Sequence, residues 1–273
     1  MKRPVFLLWL ALSSAGWAWD FRCHQAVAAI AWDQVGHVTE AWLDQVLDHH
    51  PDGRARARDG AAIWPDLIRR ERPETGPWHY INLPLGPRPD PPQPGDQDQV
   101  IWAIEHWRQV AEATGETPLR AEALSFLIHF VGDIHQPVHC ACYFGGDTPD
   151  GDLGGIRVKL QNPGYKNLHH FWDSGAFPLE MSAAEIKAEA ERAPCGALVL
   201  EHQPSRWAQE SFEWARTVAY PDQRPPKEIG PEYAQQVRSI CAQRIHLAGH
   251  RLAHVLRKLG PGGGYARANR KEP

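Results

Sequence analysis

The 273-residue sequence has no excess of basic residues: 29 Lys and Arg stand against 33 Asp and Glu, a formal net charge of −4 at pH 7. A protein that holds nucleic acid through an overall basic surface is therefore excluded, and an anionic ligand must find its positive charge locally. The chain lacks a Walker-type glycine loop, a GxSxG elbow and a dinucleotide fingerprint, which removes the usual signals of nucleotide-cofactor and serine-hydrolase chemistry. It also lacks internal repeats, and beyond the first 18 residues no stretch approaches the roughly 18 apolar residues that read as a membrane span. Methionine (2) and cysteine (5) are scarce, whereas histidine numbers 15, and neutral imidazole is the commonest metal ligand. With 42% hydrophobic and 10% aromatic residues there is ample material for a core, which excludes disorder as the main state.

The first 18 residues read as a secretory signal peptide. Met1-Lys2-Arg3 is basic, Val5 to Leu12 is apolar, and Gly16 and Ala18 are the small residues expected before a cut that exposes Trp19. Export would permit two disulfides among Cys23, Cys140, Cys142, Cys195 and Cys241, with one thiol left over and no pairing fixed by sequence, although Cys140 and Cys142 are not expected to pair with each other. Apolar residues at spacings of three and four predict two helices between Cys23 and His49. The same period predicts helices in Val100–Ala113, Ala121–Gly132, Ala183–Ala193, Trp207–Val218 and Tyr233–Leu259. The fold expected is thus mainly α: a single-domain bundle of long helices over residues 19–259, with one small β-hairpin in the glycine-rich Tyr143–Lys166 stretch, where Ile156-Arg157-Val158-Lys159-Leu160 alternates. Six prolines between Pro84 and Gly95 predict an exposed irregular loop, and residues 260–273 a flexible tail.

Chemistry-bearing residues concentrate in Phe126–His139. His129 and Asp133 are four apart on a predicted helix, so both project from one face about 5–6 Å apart, within reach of one cation, and the two oxygens of Asp133 could bridge two. His135 lies about 200° around the helix from Asp133 and is expected to pack or hydrogen-bond elsewhere. Pro137 ends the helix and lets His139 turn back. The pattern recurs in His169 and Asp173, with His170, three residues before Asp173, as a rival ligand. Asp66 follows Pro65, and His79 stands between Trp78 and Tyr80; taken singly they read as a cap and a half-buried ring. His246, His250 and His254 also recur every four residues, but they border the apolar stripe Ile245, Ala248, Leu252, Val255 and Leu259 and read as its polar flank. Processing after Ala18 would free an α-amine on Trp19 with a pKa of about 7.7–8.0, low enough for a metal to displace its proton near neutral pH. Trp19, His24 and a bridging Asp133 could then close around one ion.

Taken together, Trp19-x4-His24, Trp64-x-Asp66-x2-Arg69, Trp78-His79-Tyr80, His129-x3-Gly132-Asp133-x-His135-Gln136-Pro137-x-His139, Asn167-Leu168-His169-x2-Trp172-Asp173 and Arg244-x2-Leu247-Ala248-Gly249-x-Arg251-Leu252-Ala253 resemble the mung bean nuclease family of secreted, mainly helical, trinuclear-zinc nucleases. The resemblance implies three Zn²⁺ per chain. Asp66, His79, His129 and Asp133 would hold the first, His139, His169 and Asp173 the second, and Trp19, His24 and the same Asp133 the third. It further implies that Tyr80 and Asn82 form a nucleobase pocket and that a basic residue stands at Arg69. The sequence departs from the family pattern at Leu153, where Arg is usual, and at Ile156, where Asn is usual, which puts the predicted hairpin's hydrogen bonding in question.

Three divalent ions against Asp66, Asp133 and Asp173 would leave the site net positive, so an acidic protein could attract a phosphodiester there. Paired metals lower the pKa of bound water from about 15.7 towards 7 and clamp the attacking and leaving oxygens of an in-line displacement. Asp66 would orient the attacking water as a base, and Arg69, about 300° further round if the segment is helical, would reach phosphate oxygens from the same face. The implied activity is hydrolysis of single-stranded DNA and RNA to 5′-nucleotides, with 3′-nucleotidase activity, by an exported monomer in the periplasm or outside the cell. Two other readings remain: a zinc-dependent phospholipase C, whose N-terminal Trp and first His lie farther apart and whose last ligand pair ends in Glu, and a non-catalytic exported zinc-binding protein. One glycine added before Trp19 is expected to abolish metal at the third position; zinc stoichiometry with and without it checks this, and equal values would contradict it.

Overall fold

The computed structural model describes residues 19–87 and 99–263. The expected signal segment, residues 88–95 of the proline-rich stretch and the tail after residue 263 lie outside the described residues.

Helix α1 (Phe21–Val35) begins where the Asp20 carboxylate accepts from the amides of Arg22 and Cys23 (3.0 and 3.2 Å), and α2 (His37–Leu47) follows it almost directly. Two single-turn helices, α3 (Arg58–Ala61) and α4 (Trp64–Leu67), lead to a 3₁₀ segment over Pro73–His79. Next come α5 (Val100–Ala113), over the predicted span, and α6 (Thr117–Asp133), which extends beyond the predicted Ala121–Gly132 at both ends. From Ala123 to Asp133 every residue of α6 is buried, so α6 is the central helix and its last turn is enclosed on all sides. After the one-turn α7 (Leu168–His170) come α8 (Ala183–Ala190), closed by a Ser182–Glu185 capping box, α9 (Pro204–Trp214) and the 29-residue α10 (Pro231–Leu259).

Aromatic packing fixes the approach of the Pro73–His79 segment. Trp78 meets the rings of Trp102 and Trp107 on α5 and of Phe126 and Phe130 on α6 at centroid distances of 5.6–6.5 Å. The ring of Trp107 stacks on Phe126 at 4.4 Å. With Trp78 held there, its neighbour His79 is delivered to the end of α6. The chain then pairs in parallel with the segment after His139: β1 (Pro84–Leu85) lies beside β2 (Cys142–Tyr143), with Pro84 opposite Cys142 and Leu85 opposite Tyr143. The bond from the Ile81 amide to the His139 carbonyl (2.8 Å) continues this register. Pro84, which has no N–H to offer, is tolerated at the first position of the strand.

The mainly helical expectation holds, but the hairpin expected at Ile156–Leu160 does not form, and Pro84 begins a strand rather than a loop. Positive φ at Gly151, Leu153, Gly154 and Gly155 coils the chain just before the alternating run, and the Val158 carbonyl accepts from the Leu168 amide instead of from a partner strand. The expected disulfides are also absent: all five cysteines are free thiols, and Cys23, Cys140, Cys142 and Cys241 are buried.

Two buried arginines of α10 brace the turn after α6. Arg244 donates to the His135 carbonyl (3.1 Å), to Glu210 Oε2 (2.7 Å) and to Ser211 Oγ (2.8 Å). Arg251 reaches His135 Nε2 (2.9 Å) and both oxygens of Glu210 (2.8 Å each), and Ser211 Oγ donates to the Ile134 carbonyl (2.6 Å). His135 thus faces α9 and α10, as its position on the helix predicts. Glu210 balances two enclosed guanidinium groups, so Glu210→Ala is expected to destabilise the fold by about 3 kcal/mol. Denaturant unfolding of wild type and variant measures this, and an unchanged midpoint would contradict it.

Candidate metal centre

Eight of the nine expected ligands contribute side chains, and the structure brings all eight together. Asp133, at the C-terminal end of α6, is the hub. Its Oδ2 lies 2.9 Å from His79 Nδ1 and 3.2 Å from His129 Nε2, and its Oδ1 lies 3.5 Å from His24 Nε2 and 3.5 Å from His139 Nδ1. Asp66 Oδ1 sits 3.7 Å from His79 and 3.8 Å from His129. Asp173 lies 3.3 Å from His169 and 3.8 Å from His139. Three buried groups follow, each with ligand atoms within 4.8 Å of one another: His24, His129 and Asp133; Asp66, His79 and His129; His139, His169 and Asp173.

Local structure explains each position. His24 stands in the first turn of α1 and stacks on His129 at 3.9 Å. That approach requires Gly132, since a Cβ there would lie 2.7 Å from His24 Nδ1. His169 belongs to α7, and Asp173 to the π turn Phe171–Gly175 that extends it. Of the rival pair, His169 faces Asp173, whereas His170 lies outside all three groups. Trp19, the ninth expected ligand, is fully buried, and the next amide, that of Asp20, donates to the Asp173 carbonyl at 3.2 Å. The start of the described chain is therefore tied to the group formed by His139, His169 and Asp173.

Backbone carbonyls set the ring orientations. Nδ1 of His129 is bonded to the Ala62 carbonyl (2.7 Å), that of His139 to His79 (2.8 Å) and that of His169 to Gly154 (2.8 Å). A carbonyl only accepts, so each Nδ1 carries the proton and each Nε2 turns a lone pair inward. Gln136, which sequence reasoning gave no role, donates to Asp173 Oδ1 (2.7 Å) and accepts from the Val138 amide (2.6 Å). Its presence inside the His129–His139 motif was the available signal; the carbonyl partners leave no mark in side-chain chemistry.

Burial dominates the electrostatics. It holds His24 down to about 4, with the charge of His129 adding to the effect, and His79 and His169 down to about 3; His139 is lowered for the same reason. Burial also pushes Asp66 up to about 6 and Asp173 well above the usual carboxylate range. At Asp133 the charge and hydrogen bond of His129, with the bond from His79 and the nearby ring of His24, outweigh burial and hold the carboxyl well below its ordinary value; His129 is raised in return, against its own burial, by Asp133 and Asp66. Both oxygens of Asp66, Oδ1 of Asp133, Nε2 of His79 and His139 and both nitrogens of His24 are buried without a hydrogen-bond partner. Such orphaned acceptors are costly unless a cation takes their lone pairs, and an imidazole–carboxylate set without thiolate suits a divalent metal.

A cleft of about 170 Å³ opens beside the clusters, lined by Arg69, His79, Tyr80, Asn82, Val138, His139, Leu153, Gly154, Ile156 and His169. Arg69 Nη1 lies 3.5 Å from Asp66 Oδ1, so all three non-ligand candidates share the wall of the site. Leu153 and Ile156, the two departures from the family pattern, face them as partly exposed apolar side chains.

Buried His–Asp clusters beside a cleft with a basic residue and an aromatic ring describe a metal-dependent hydrolase. Comparison with known proteins names the class: the S1/P1 Nuclease family profile matches residues 19–260. Similar proteins include Endonuclease 5 of Arabidopsis thaliana, 30% identical over 86% of this chain and 93% of its own length. Endonuclease 2 of the same plant is 25% identical over 93% and 94%, and Nuclease P1 of Penicillium citrinum 25% identical over 88% and 97%. The chain belongs to the S1/P1 nuclease family and is a hydrolytic nuclease. No helix among the described residues is long and apolar enough to cross a membrane.

Without metal the centre holds protons that a cation must displace, since His129 is raised above its ordinary value and Asp66 titrates at about 6. Divalent-metal affinity is therefore expected to rise with pH between about 5 and about 7, while His24, His79 and His169 are already neutral there. Titrating metal-stripped protein across that range checks this, and a flat profile would contradict it.

Proposed function

We propose that the protein is an exported zinc-dependent phosphodiesterase that hydrolyses single-stranded DNA and RNA to 5′-nucleotides and also acts as a 3′-nucleotidase. The observation that carries this reading is the assembly of three buried His–Asp clusters, two of them sharing His129 and the third approaching Asp133 through His139, beside a cleft holding Arg69, Tyr80 and Asn82. Asp66, His79, His129 and Asp133 would hold one Zn²⁺, His139, His169 and Asp173 a second, and the chain-terminal Trp19 with His24 and Asp133 a third. Bound there, zinc supplies Lewis-acid polarisation and a water acidic enough to attack near neutral pH.

The chain's own groups do the rest. Asp66 orients the attacking water and accepts its proton. Arg69, partly exposed at the cleft wall, binds the non-bridging phosphate oxygens. Water adds to phosphorus, the bond to the 3′ oxygen breaks and that oxygen gains a proton, so the phosphate stays on the 5′ side. A 3′-nucleotide presents the same bond. Tyr80 stacks on a base, and Asn82 hydrogen-bonds its edge. Stacking accepts every base and favours single strands, because a base in a duplex must first be pulled from its neighbours. The signal peptide ending at Ala18 would carry the protein out of the cytoplasm and expose the Trp19 amine.

Assays of the zinc-loaded mature protein on single-stranded DNA, RNA, a 3′-nucleotide and phosphatidylcholine test the reading, and lipid cleavage without DNA cleavage would overturn it. Folded, metal-loaded protein inert on all four would favour a zinc-binding role instead. Arg69→Ala is expected to lower kcat/KM by about tenfold to a hundredfold, as loss of a charge-assisted hydrogen bond implies, with zinc content unchanged. Tyr80→Ala is expected to cost about 1–3 kcal/mol of substrate binding, read mainly in KM.

A further inference from the structure

We propose that His246 and His250 form an additional, partly exposed binding site for a divalent transition-metal ion on α10, apart from the central clusters and independent of the catalytic reading. His246 Nδ1 lies 2.8 Å from the Ala193 carbonyl, which can only accept, so Nδ1 carries the proton and Nε2 holds a lone pair. Nε2 of His250 lies 3.0 Å from His246 Nε2 and donates to it, with the ring centroids 4.8 Å apart, so a bound metal would take the place of that one proton between the two rings. The same signature marks the central site, where His129 is locked by the Ala62 carbonyl and its Nε2 lies 3.1 Å from a nitrogen of His79.

The two rings are four residues apart in the middle of a 29-residue helix whose neighbouring positions Ile245, Leu247, Ala248, Gly249, Arg251 and Leu252 are all buried. The backbone is therefore fixed, and binding would cost only side-chain freedom. Burial lowers the pKa of His250, so that ring is neutral and able to ligate at neutral pH. His254, a further turn along, does not join them: it stacks on His202 at 3.6 Å with the planes 9° apart. The protein thus supplies two imidazoles, and water fills the remaining positions. Such a donor pair selects Zn²⁺, Cu²⁺ or Ni²⁺ over oxygen-preferring ions such as Mg²⁺.

The test uses full-length mature protein with its central clusters already loaded, equilibrated against rising free Zn²⁺, and counts bound metal. Wild type and His254→Ala are expected to take up one more equivalent than His250→Ala or His246→Gln, with circular dichroism and hydrolysis of single-stranded DNA the same in all four. Equal zinc uptake by wild type and both pair variants would overturn the proposal. So would filling of the site by Mg²⁺ at the same concentrations.

Discussion

The structure depends on one buried carboxylate. Asp133 is fully enclosed, and its two oxygens face imidazoles of four residues drawn from α1, the Pro73–His79 segment, α6 and the turn after it. An isolated carboxylate in that position would cost several kcal/mol, so the surrounding rings are required by Asp133 as much as they are arranged around it. Asp133 is held low and His129 raised by each other's charge, while burial lowers His24, His79, His139 and His169 and raises Asp66 and Asp173.

A second layer built mostly from backbone keeps those rings in place. The carbonyls of Ala62, His79 and Gly154 each fix one tautomer, and Gln136 ties Asp173 to the turn that carries His139. Behind them Arg244, Arg251, Glu210 and Ser211 hold the carbonyls of Ile134 and His135 from α9 and α10. The geometry of the candidate ligands therefore rests on the packing of the helical bundle. The cleft is a composite, with Arg69, Tyr80 and Asn82 on the polar side and Leu153 and Ile156 as apolar side chains at its edge.

Much of the architecture could be read from residue spacing. The predicted helices formed because apolar residues at three and four residues apart give a chain one face to bury, and His129 and Asp133 on α6 met as the helical repeat requires. Spacing could not separate His169 from His170, because residues three and four before Asp173 are both near it on a helix, and the π turn at Phe171–Gly175 lies outside that periodicity altogether. The expected hairpin failed where left-handed backbone at Gly151, Leu153, Gly154 and Gly155 overrode an alternating pattern. The expected disulfides failed because a count of cysteines says nothing of distance.

The amino-acid order alone therefore determined the main helices, the candidate ligand side chains and the family, since these follow from local periodicity and short motifs. Only the tertiary structure decided that His79 reaches Asp133 and Asp66 reaches His129 across more than fifty residues, which carbonyl fixes each ring, and that the segments after His79 and His139 run in parallel. These are contacts between residues distant in the chain, settled by how the aromatic core and the buried arginines pack.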